Sequence, residues 1–292
     1  MKPAPFKYYA PETIPEVLSL LNDHGYDAKV LAGGQSLVPM MNFRLVQPAI
    51  VVDINNIPEL SFIEKKDKGL HLGAMTRHNK AEKSSLIKDQ APLIYETMPQ
   101  IATTQIRNRG TIGGSLAHAD PSAELVAVTT ALEARFKIQS QVGERWIPAE
   151  EFFVGLLMTC MDPEELLVEI YIPGLPSRSG WSLKEVARRP HDFALIGVVA
   201  VITLDKKDRC ETAKLVYLSA GDGPVSAVEA AALLKGEEIT DDLITAAAEK
   251  AATDEIDPGS DIHATADFRR HLANVLTRRA LAEAYQRAKG GK

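Results

Sequence analysis

The strongest constraint on the fold comes from two Gly-Gly pairs flanked by apolar residues. The first glycine segment is Val30-Leu31-Ala32-Gly33-Gly34-Gln35-Ser36-Leu37, and the second is Thr111-Ile112-Gly113-Gly114-Ser115-Leu116. Glycine adopts backbone conformations that other residues avoid, so both segments are predicted to be tight turns where the main chain approaches a ligand closely. Successive N–H groups in such turns can converge on an anion, and Ser36, Thr111 and Ser115 add uncharged donors. The pair therefore predicts a phosphate site held from two sides.

Neither segment is a common nucleotide-binding motif, since the chain has no G-x-G-x-x-G and no P-loop sequence. A single Gly-Gly pair is more often only a tight turn. The presence of two similar Gly-Gly segments in one chain is what favours a ligand site.

Two carboxylates follow the second segment. Asp120, directly before Pro121, predicts the N-cap of a helix reaching about Leu132, and Glu124 suits the positive end of that helix. The spacing is equally compatible with acceptance of hydrogen bonds from ribityl or ribose hydroxyls.

Hydrophobic patterning predicts an α+β chain in two parts. The turn-rich stretch Pro173-Gly174-Leu175-Pro176-Ser177 suits a boundary, which gives domains at residues 1–176 and 177–292. Strands come before helices in the second part, an order typical of α+β modules. The predicted elements are a helix capped by Thr13, strands over 28–32, 49–54, 70–74, 135–138, 166–172, 181–187, 194–204 and 213–219, and helices over 225–234, 241–252 and 266–288, the last with Phe268, Leu272, Val275 and Leu276 on its apolar face.

Composition excludes several classes of function. The net charge is −6 and no long basic run occurs, which argues against nucleic-acid binding. The two cysteines, Cys160 and Cys210, cannot hold a four-cysteine iron–sulfur cluster, and the histidines lack zinc-site spacing. No apolar run approaches the ~20 residues of a membrane span, and residues 1–10 lack the apolar core of a signal peptide. We therefore expect a cytoplasmic protein with free thiols, no metal site and no membrane span.

Taken together, these residues resemble the FAD-binding (medium) subunit of aerobic carbon monoxide dehydrogenase and its relatives, including the flavin domain of xanthine dehydrogenase. The resemblance spans essentially the whole chain. It rests on both glycine segments, on Ala119-Asp120-Pro121-Ser122-Ala123-Glu124, and on Lys184-Glu185-Val186-Ala187-Arg188-Arg189. It implies a two-part FAD-binding fold of the vanillyl-alcohol-oxidase (PCMH) type over residues 1–176, split near residue 57. A smaller α+β domain, like the carbon monoxide dehydrogenase flavoprotein C-terminal domain, follows.

The resemblance also implies which residues bind FAD. Ala32 to Ser36 and Thr111 to Ser115 would cradle the diphosphate from two sides. Glu124 would hold ribityl or ribose hydroxyls, and Lys184 would lie beside the isoalloxazine and favour its reduced, anionic form. The implied cofactor-binding residues are Val30, Leu31, Ala32, Gly33, Gly34, Gln35, Ser36, Leu37, Ile101, Thr111, Gly113, Gly114, Ser115, Asp120, Glu124, Leu166, Lys184 and Phe193.

The function implied by the resemblance is electron transfer. Electrons would arrive from a partner [2Fe–2S] small subunit, which receives them from a molybdenum-cofactor large subunit, within a dimer of heterotrimers. They would leave to a terminal acceptor, and no catalytic acid or base is named because FAD carries the chemistry. Two alternatives remain open: a stand-alone flavin oxidase, which would need its own substrate base, and a non-redox phosphate-binding scaffold subunit, which would be colourless.

Overall fold

A small parallel sheet is built from the short apolar stretches at the start of the chain. The computed structural model describes residues 1–290. The elements are β1 (Lys7–Tyr9), α1 (Ile14–His24), β2 (Ala28–Leu31), α2 (Leu37–Asn42) and β3 (Ile50–Asp53), with 3₁₀ turns at Gly25–Asp27 and Pro58–Leu60. The strand order is β1-β3-β2, and the Thr13 side chain caps α1 as predicted. Because β2 and β3 are parallel, their carboxyl ends share one edge, where Leu31 pairs with Asp53.

A five-stranded antiparallel sheet and a group of short helices come next. The elements are β4 (Ile63–Lys66), β5 (Gly69–Gly73), α3 (His78–Glu82), α4 (Ser85–Gln90), α5 (Pro92–Thr97), a 3₁₀ turn (Met98–Gln100), α6 (Thr104–Arg109), α7 (Ile112–His118), α8 (Glu124–Ala131), β6 (Arg135–Ser140), β7 (Gly143–Pro148), α9 (Ala149–Phe152), β8 (Phe153–Gly155), β9 (Met158–Thr159) and β10 (Leu166–Pro173). The strand order is β4-β5-β10-β6-β7. At the start of β10 side chains alternate, so Leu166 and Val168 pack in the core of the first sheet and Leu167 packs in the core of the second. A register shift between Leu167 and Glu169 then places Ile170 in the second core as well.

The C-terminal part is a four-stranded antiparallel sheet covered by helices. Its elements are β11 (Ser179–Ala187), β12 (Ala194–Leu204), β13 (Cys210–Leu218), β14 (Val225–Ser226), α10 (Val228–Leu234), α11 (Asp241–Lys250), a π-helical turn (Ala251–Glu255) and α12 (Ala266–Ala288). The strand order is β11-β12-β13-β14. All 11 residues of β12 are buried, because α12 packs against one face of this sheet and α8 against the other.

Two predicted helices differ from the structure in their bounds, and a third, α12, differs in part of its apolar face. Helix α8 begins at Glu124 rather than directly after Asp120, whose Oδ1 instead accepts the Ser122 N–H at 2.8 Å in a turn. The helix predicted over 225–234 is a two-residue strand followed by α10. In α12, Leu276 is buried as predicted, but Phe268 is 48% exposed. The buried face of α12 includes Ala284 and Ala288, where β11 approaches so closely that a Cβ on Gly180 would collide with the α12 backbone.

The structure also shows the state of the cysteines, the grouping of possible metal ligands and the character of the helices. Cys160 and Cys210 are free thiols. Within residues 1–290, no group of three or more His, Cys, Asp or Glu side chains is arranged to hold a metal ion. Over the same range, no helix combines the length and apolar character needed to cross a membrane.

Candidate functional site

The first glycine segment is an open loop between β2 and α2, at the carboxyl edge of the parallel sheet. Gly34 has φ +72°, a left-handed conformation that glycine adopts without strain. Among the described residues, the backbone N–H groups of residues 33–36 donate to no protein acceptor. Residues 33–35 line a cleft of about 330 Å³, together with Val38 and Arg109. The loop therefore leaves several adjacent N–H donors available to an anion.

The second glycine segment is not a turn, contrary to the prediction, but the beginning of helix α7. Thr111 is the N-cap, and its Oγ1 accepts the Gly114 N–H at 3.0 Å. The other amides of residues 112–115 donate to backbone carbonyl oxygens at 2.8 to 3.1 Å. The glycines serve close packing instead, since a Cβ on Gly113 would lie 2.5 Å from the Ala74 Cβ. This segment therefore contributes a tightly packed wall rather than a set of unpaired amides.

The two glycine segments nevertheless lie against each other, as the hypothesis of a shared site requires. A Cβ on Gly33 would lie only 2.5 Å from the Arg109 carbonyl oxygen, and one on Gly114 would lie 3.6 Å from the Ala32 Cβ. A side chain at Gly33 would push the segments apart, whereas a Cβ on Gly114 would contact Ala32 at an ordinary distance and would clash with the Thr111 Oγ1, at 2.6 Å, within its own segment. On the first segment, Gln35 is exposed and its amide donates to the Gly33 carbonyl oxygen at 3.0 Å.

A polar network that sequence analysis missed connects the same two segments. The Asn55 Nδ2 donates to the Ala32 carbonyl oxygen at 2.8 Å. The Arg77 guanidinium donates both to the Asn55 Oδ1 and to the Arg109 carbonyl oxygen. The network therefore runs from the first segment, through two side chains, to Arg109, two residues before the second segment. Arginine suits this position because its planar fork can hold two acceptors at once.

Asp53, at the end of β3, is the acidic member of this edge. Its carboxylate accepts the Tyr8 hydroxyl at 2.6 Å and the Asn55 backbone N–H at 2.8 Å. Burial raises the pKa of Asp53, but the hydrogen bonds from Tyr8 and Asn55 outweigh burial and leave that pKa below its usual range. Polar residues directly after a parallel strand were a usable signal, because ligands bind at the carboxyl ends of such strands.

Two carboxyl groups interact where α8 faces the C-terminal sheet. Burial raises the pKa of Glu124 to about 7, and the charge of Asp120 adds to the shift. Burial likewise raises the pKa of Glu185 to about 8, and the charge of Glu124 adds to it. Within residues 1–290, the buried Glu185 Oε2 has no hydrogen-bond partner. Glu185 was not predicted as a site residue, although it neighbours the predicted Lys184.

The remaining predicted residues occupy different surroundings. Leu166 is buried in the core against which Val30 and Ala32 pack, so it lies behind the first glycine segment. Ile101 is buried in the core of the second sheet, and Leu37 is half-buried at the start of α2.

Lys184 and Phe193 have different surroundings. The Lys184 ammonium pairs with Glu283 of α12, on the face of the C-terminal sheet away from α8. The structure therefore does not bring Lys184 together with the glycine segments. Phe193 is 70% exposed.

Comparison with known proteins gives concordant matches along the chain. The family described as "FAD binding domain in molybdopterin dehydrogenase" matches residues 4–175, and "CO dehydrogenase flavoprotein C-terminal domain" matches residues 181–284. The chain is 42% identical to the 6-hydroxypseudooxynicotine dehydrogenase complex subunit alpha of Paenarthrobacter nicotinovorans, over 100% of this chain and 98% of that protein. It is 38% identical to the caffeine dehydrogenase subunit beta of Pseudomonas sp. (strain CBB1), over 98% and 97%.

A solved structure gives the same result for the fold. Carbon monoxide dehydrogenase from Hydrogenophaga pseudoflava contains a chain that superposes with a TM-score of 0.95 at 36% identity, covering 98% of this chain and 99% of that one. These matches confirm the α+β fold of an FAD-binding domain followed by a C-terminal domain, FAD as the cofactor, and the oxidoreductase class. The chain therefore belongs to the family of FAD-binding subunits of molybdenum hydroxylases, of the carbon monoxide dehydrogenase and xanthine dehydrogenase type.

Proposed function

We propose that this chain is the electron-transfer subunit of its complex, taking electrons from a partner [2Fe–2S] subunit onto FAD and passing them to a terminal acceptor. The observation that carries the proposal is the first glycine segment. Its N–H groups at residues 33–36 are unpaired within residues 1–290 and lie beside a cleft. In the described part of the chain no acceptor uses these N–H groups, whereas a diphosphate would accept hydrogen bonds from them.

The residues present fit FAD in several respects. Gly34 holds the left-handed conformation, and the closeness of Gly33 to the Arg109 carbonyl oxygen leaves no room for a side chain. We propose that residues 30–37 bind the diphosphate through their backbone and that residues 111–115 wall the site. Asp120 and Glu124 remain proposed acceptors for sugar or ribityl hydroxyls. When bound, FAD supplies the redox chemistry, collecting electrons singly and passing them on in pairs, while the chain supplies binding and orientation.

The sheets support the proposed division into residues 1–176 and 177–292. Two sheets, one parallel and one antiparallel, make up the first part, and a separate four-stranded sheet makes up the second. The division within the first part near residue 57 falls between β3 and β4. We further propose that the chain assembles with a molybdenum-cofactor large subunit and a [2Fe–2S] small subunit, as a dimer of heterotrimers. The names of relatives support a multi-subunit complex, since one is a subunit of a dehydrogenase complex and another a medium chain.

Purification with its neighbours tests cofactor and partnership together. The native complex should be yellow, release FAD on denaturation, and contain two further chains, with molybdenum and iron bound to the preparation. We expect the isolated chain to bind FAD but to oxidise no organic substrate, because no substrate base is assigned to it. A colourless protein that purifies as a single chain would contradict the proposal, and substrate turnover by the isolated chain would favour a stand-alone oxidase.

A further inference from the structure

Arg109 is an exposed arginine at the end of α6, one residue before Gly110. Arg109 lines the same cleft as residues 33–35 of the first glycine segment, and its charge acts on the Asp53 carboxylate, which lines that cleft too. Within residues 1–290, it forms no ion pair with any carboxylate. Arg107, two residues earlier, gives a direct contrast. Arg107 is buried, pairs with Glu82 at 2.9 Å and donates to two backbone carbonyl oxygens, which accounts for it as a structural residue.

The backbone of Arg109 is held in place by Arg77. The Arg77 guanidinium donates to the Arg109 carbonyl oxygen and to Asn55, which in turn donates to Ala32. The hydrogen-bonding capacity of Arg77 is thus directed at neighbouring groups of the chain. Burial lowers the pKa of Arg77, and the charge of Arg109 lowers it further. Two guanidinium groups therefore lie near each other at one edge of the cleft, where the charge of Asp53 raises the pKa of Arg77 and compensates part of the repulsion. Two positive groups against one carboxylate leave an excess of positive charge that favours a bound anion.

We propose that Arg109 is a further cofactor-binding residue, whose guanidinium neutralises the diphosphate held by the amides of residues 33–36, and that Arg77 is the positioning residue for it. The inference rests on the proposed function. Guanidinium groups bind phosphate oxygens through paired, charge-assisted hydrogen bonds, and such bonds are about twice as strong as neutral ones. The amides of residues 33–36 would donate directional hydrogen bonds to the phosphate oxygens, and Arg109 would supply the positive charge that the first glycine segment lacks.

The test uses the full-length chain, freed of FAD and titrated with FAD at several salt concentrations. Arg109→Gln should weaken binding by about tenfold or more, the size expected for loss of a charge-assisted hydrogen bond. It should also reduce the salt dependence of binding, because salt screens the lost attraction. Arg109→Lys should recover part of the affinity and most of the salt dependence. Arg279→Gln, at an exposed position of α12, is the matched control and should change neither.

Arg77→Lys tests the positioning role, since lysine keeps the charge but not the planar fork. We expect weaker FAD binding and a smaller salt dependence, although residue 109 is unchanged and the net charge is the same. A purely structural Arg77 would lower thermal stability without altering the salt dependence.

The two possible failures are distinguishable. A wild-type chain that binds no FAD contradicts the proposed function. A wild-type chain that binds FAD, with Arg109→Gln equal to it in affinity and salt dependence, overturns this inference alone.

Discussion

The two glycine segments look alike in sequence and differ in every physical respect that decides their role. The first is a loop with one left-handed residue, Gly34, and with amides at residues 33–36 that donate to no acceptor among residues 1–290. The second is a capped helix start whose amides at residues 112–115 all have protein acceptors. In the first segment, glycine permits the left-handed backbone conformation of Gly34. In the second, it permits a close approach to Ala74.

This difference shows that a repeated motif need not repeat a function. Electrostatic and hydrogen-bonding capacity is concentrated at the first segment, together with Arg109. The second segment fixes the distance between the parallel sheet and the rest of the chain, because it packs against Ala32 and Ala74 at the same time. We infer that one segment binds and the other holds the binding loop in position.

Alanine substitution should give the largest contrast between the segments. Gly113→Ala places a methyl group 2.5 Å from the Ala74 Cβ and 2.7 Å from its carbonyl oxygen. We expect the free energy of unfolding to fall by roughly 1–3 kcal/mol, as for other overpacked interiors. Gly34→Ala meets only the ends of Leu31 and Val38, at 3.1 and 3.2 Å, but cannot hold φ +72° without a cost of about 1–2 kcal/mol.

The loop that contains Gly34 has unpaired amides and can relax into another conformation, so its strain should appear mainly as lost FAD affinity, by about tenfold. Urea denaturation of the FAD-free proteins and FAD titration measure the two effects separately. The comparison breaks down if Gly34→Ala is the less stable apoprotein, or if Gly113→Ala loses FAD while keeping full stability.

Sequence patterns were sufficient for the fold but only partly for the site. The strands β2, β3, β5 and β12 and the capped helix α1 were predicted because local signals, apolar runs and a hydroxyl cap, agree with their tertiary surroundings. The second glycine segment was mistaken for a turn because glycine disfavours helices, and only contact with Ala74 reveals why it is tolerated there.

The polar network escaped prediction for a related reason. Asn55, Arg77 and Arg109 are far apart in sequence, and only the packing of the two segments brings them together. Sheet alternation separates Lys184 from Glu185, so two adjacent charged residues face α12 and α8 respectively. To predict which of these two neighbours faces which helix, one must know which face of the sheet each strand position occupies.

Removal of the hydroxyl at the N-cap of each helix, Thr111 for α7 and Ser36 for α2, should give an intermediate effect. Thr111→Val removes the acceptor of the Gly114 N–H, and we expect a loss of about 1 kcal/mol in the free energy of unfolding. Ser36 precedes α2 but makes no side-chain cap bond, so Ser36→Ala should leave unfolding unchanged. Denaturant titration of both apoproteins checks this, and equal losses in the two variants would mean that the segments are capped alike.

The last contrast concerns the pH dependence of stability, since the pKa values of the acids beside the two segments shift in opposite directions. Near the second segment, the pKa values of Glu124 and Glu185 are raised to about 7 and about 8, from 4.5 in the unfolded chain. The folded protein therefore binds more protons than the unfolded chain until the pH passes 8, so stability falls as pH rises through this range. Near the first segment, the lowered pKa of Asp53 makes a contribution that is lost only at acidic pH.

The useful window is pH 6.5 to 8. Below it, His78, whose pKa burial lowers to about 4, contributes the opposite slope. In this window, unfolding of the FAD-free wild type should become easier as pH rises, and Glu185→Gln should flatten the dependence, since the amide neither titrates nor repels Glu124. Asp53→Asn should keep the wild-type slope, although its overall stability falls. If Glu185→Gln retained the full slope, the acid pair would not be the titrating group, and the electrostatic contrast between the two segments would be lost.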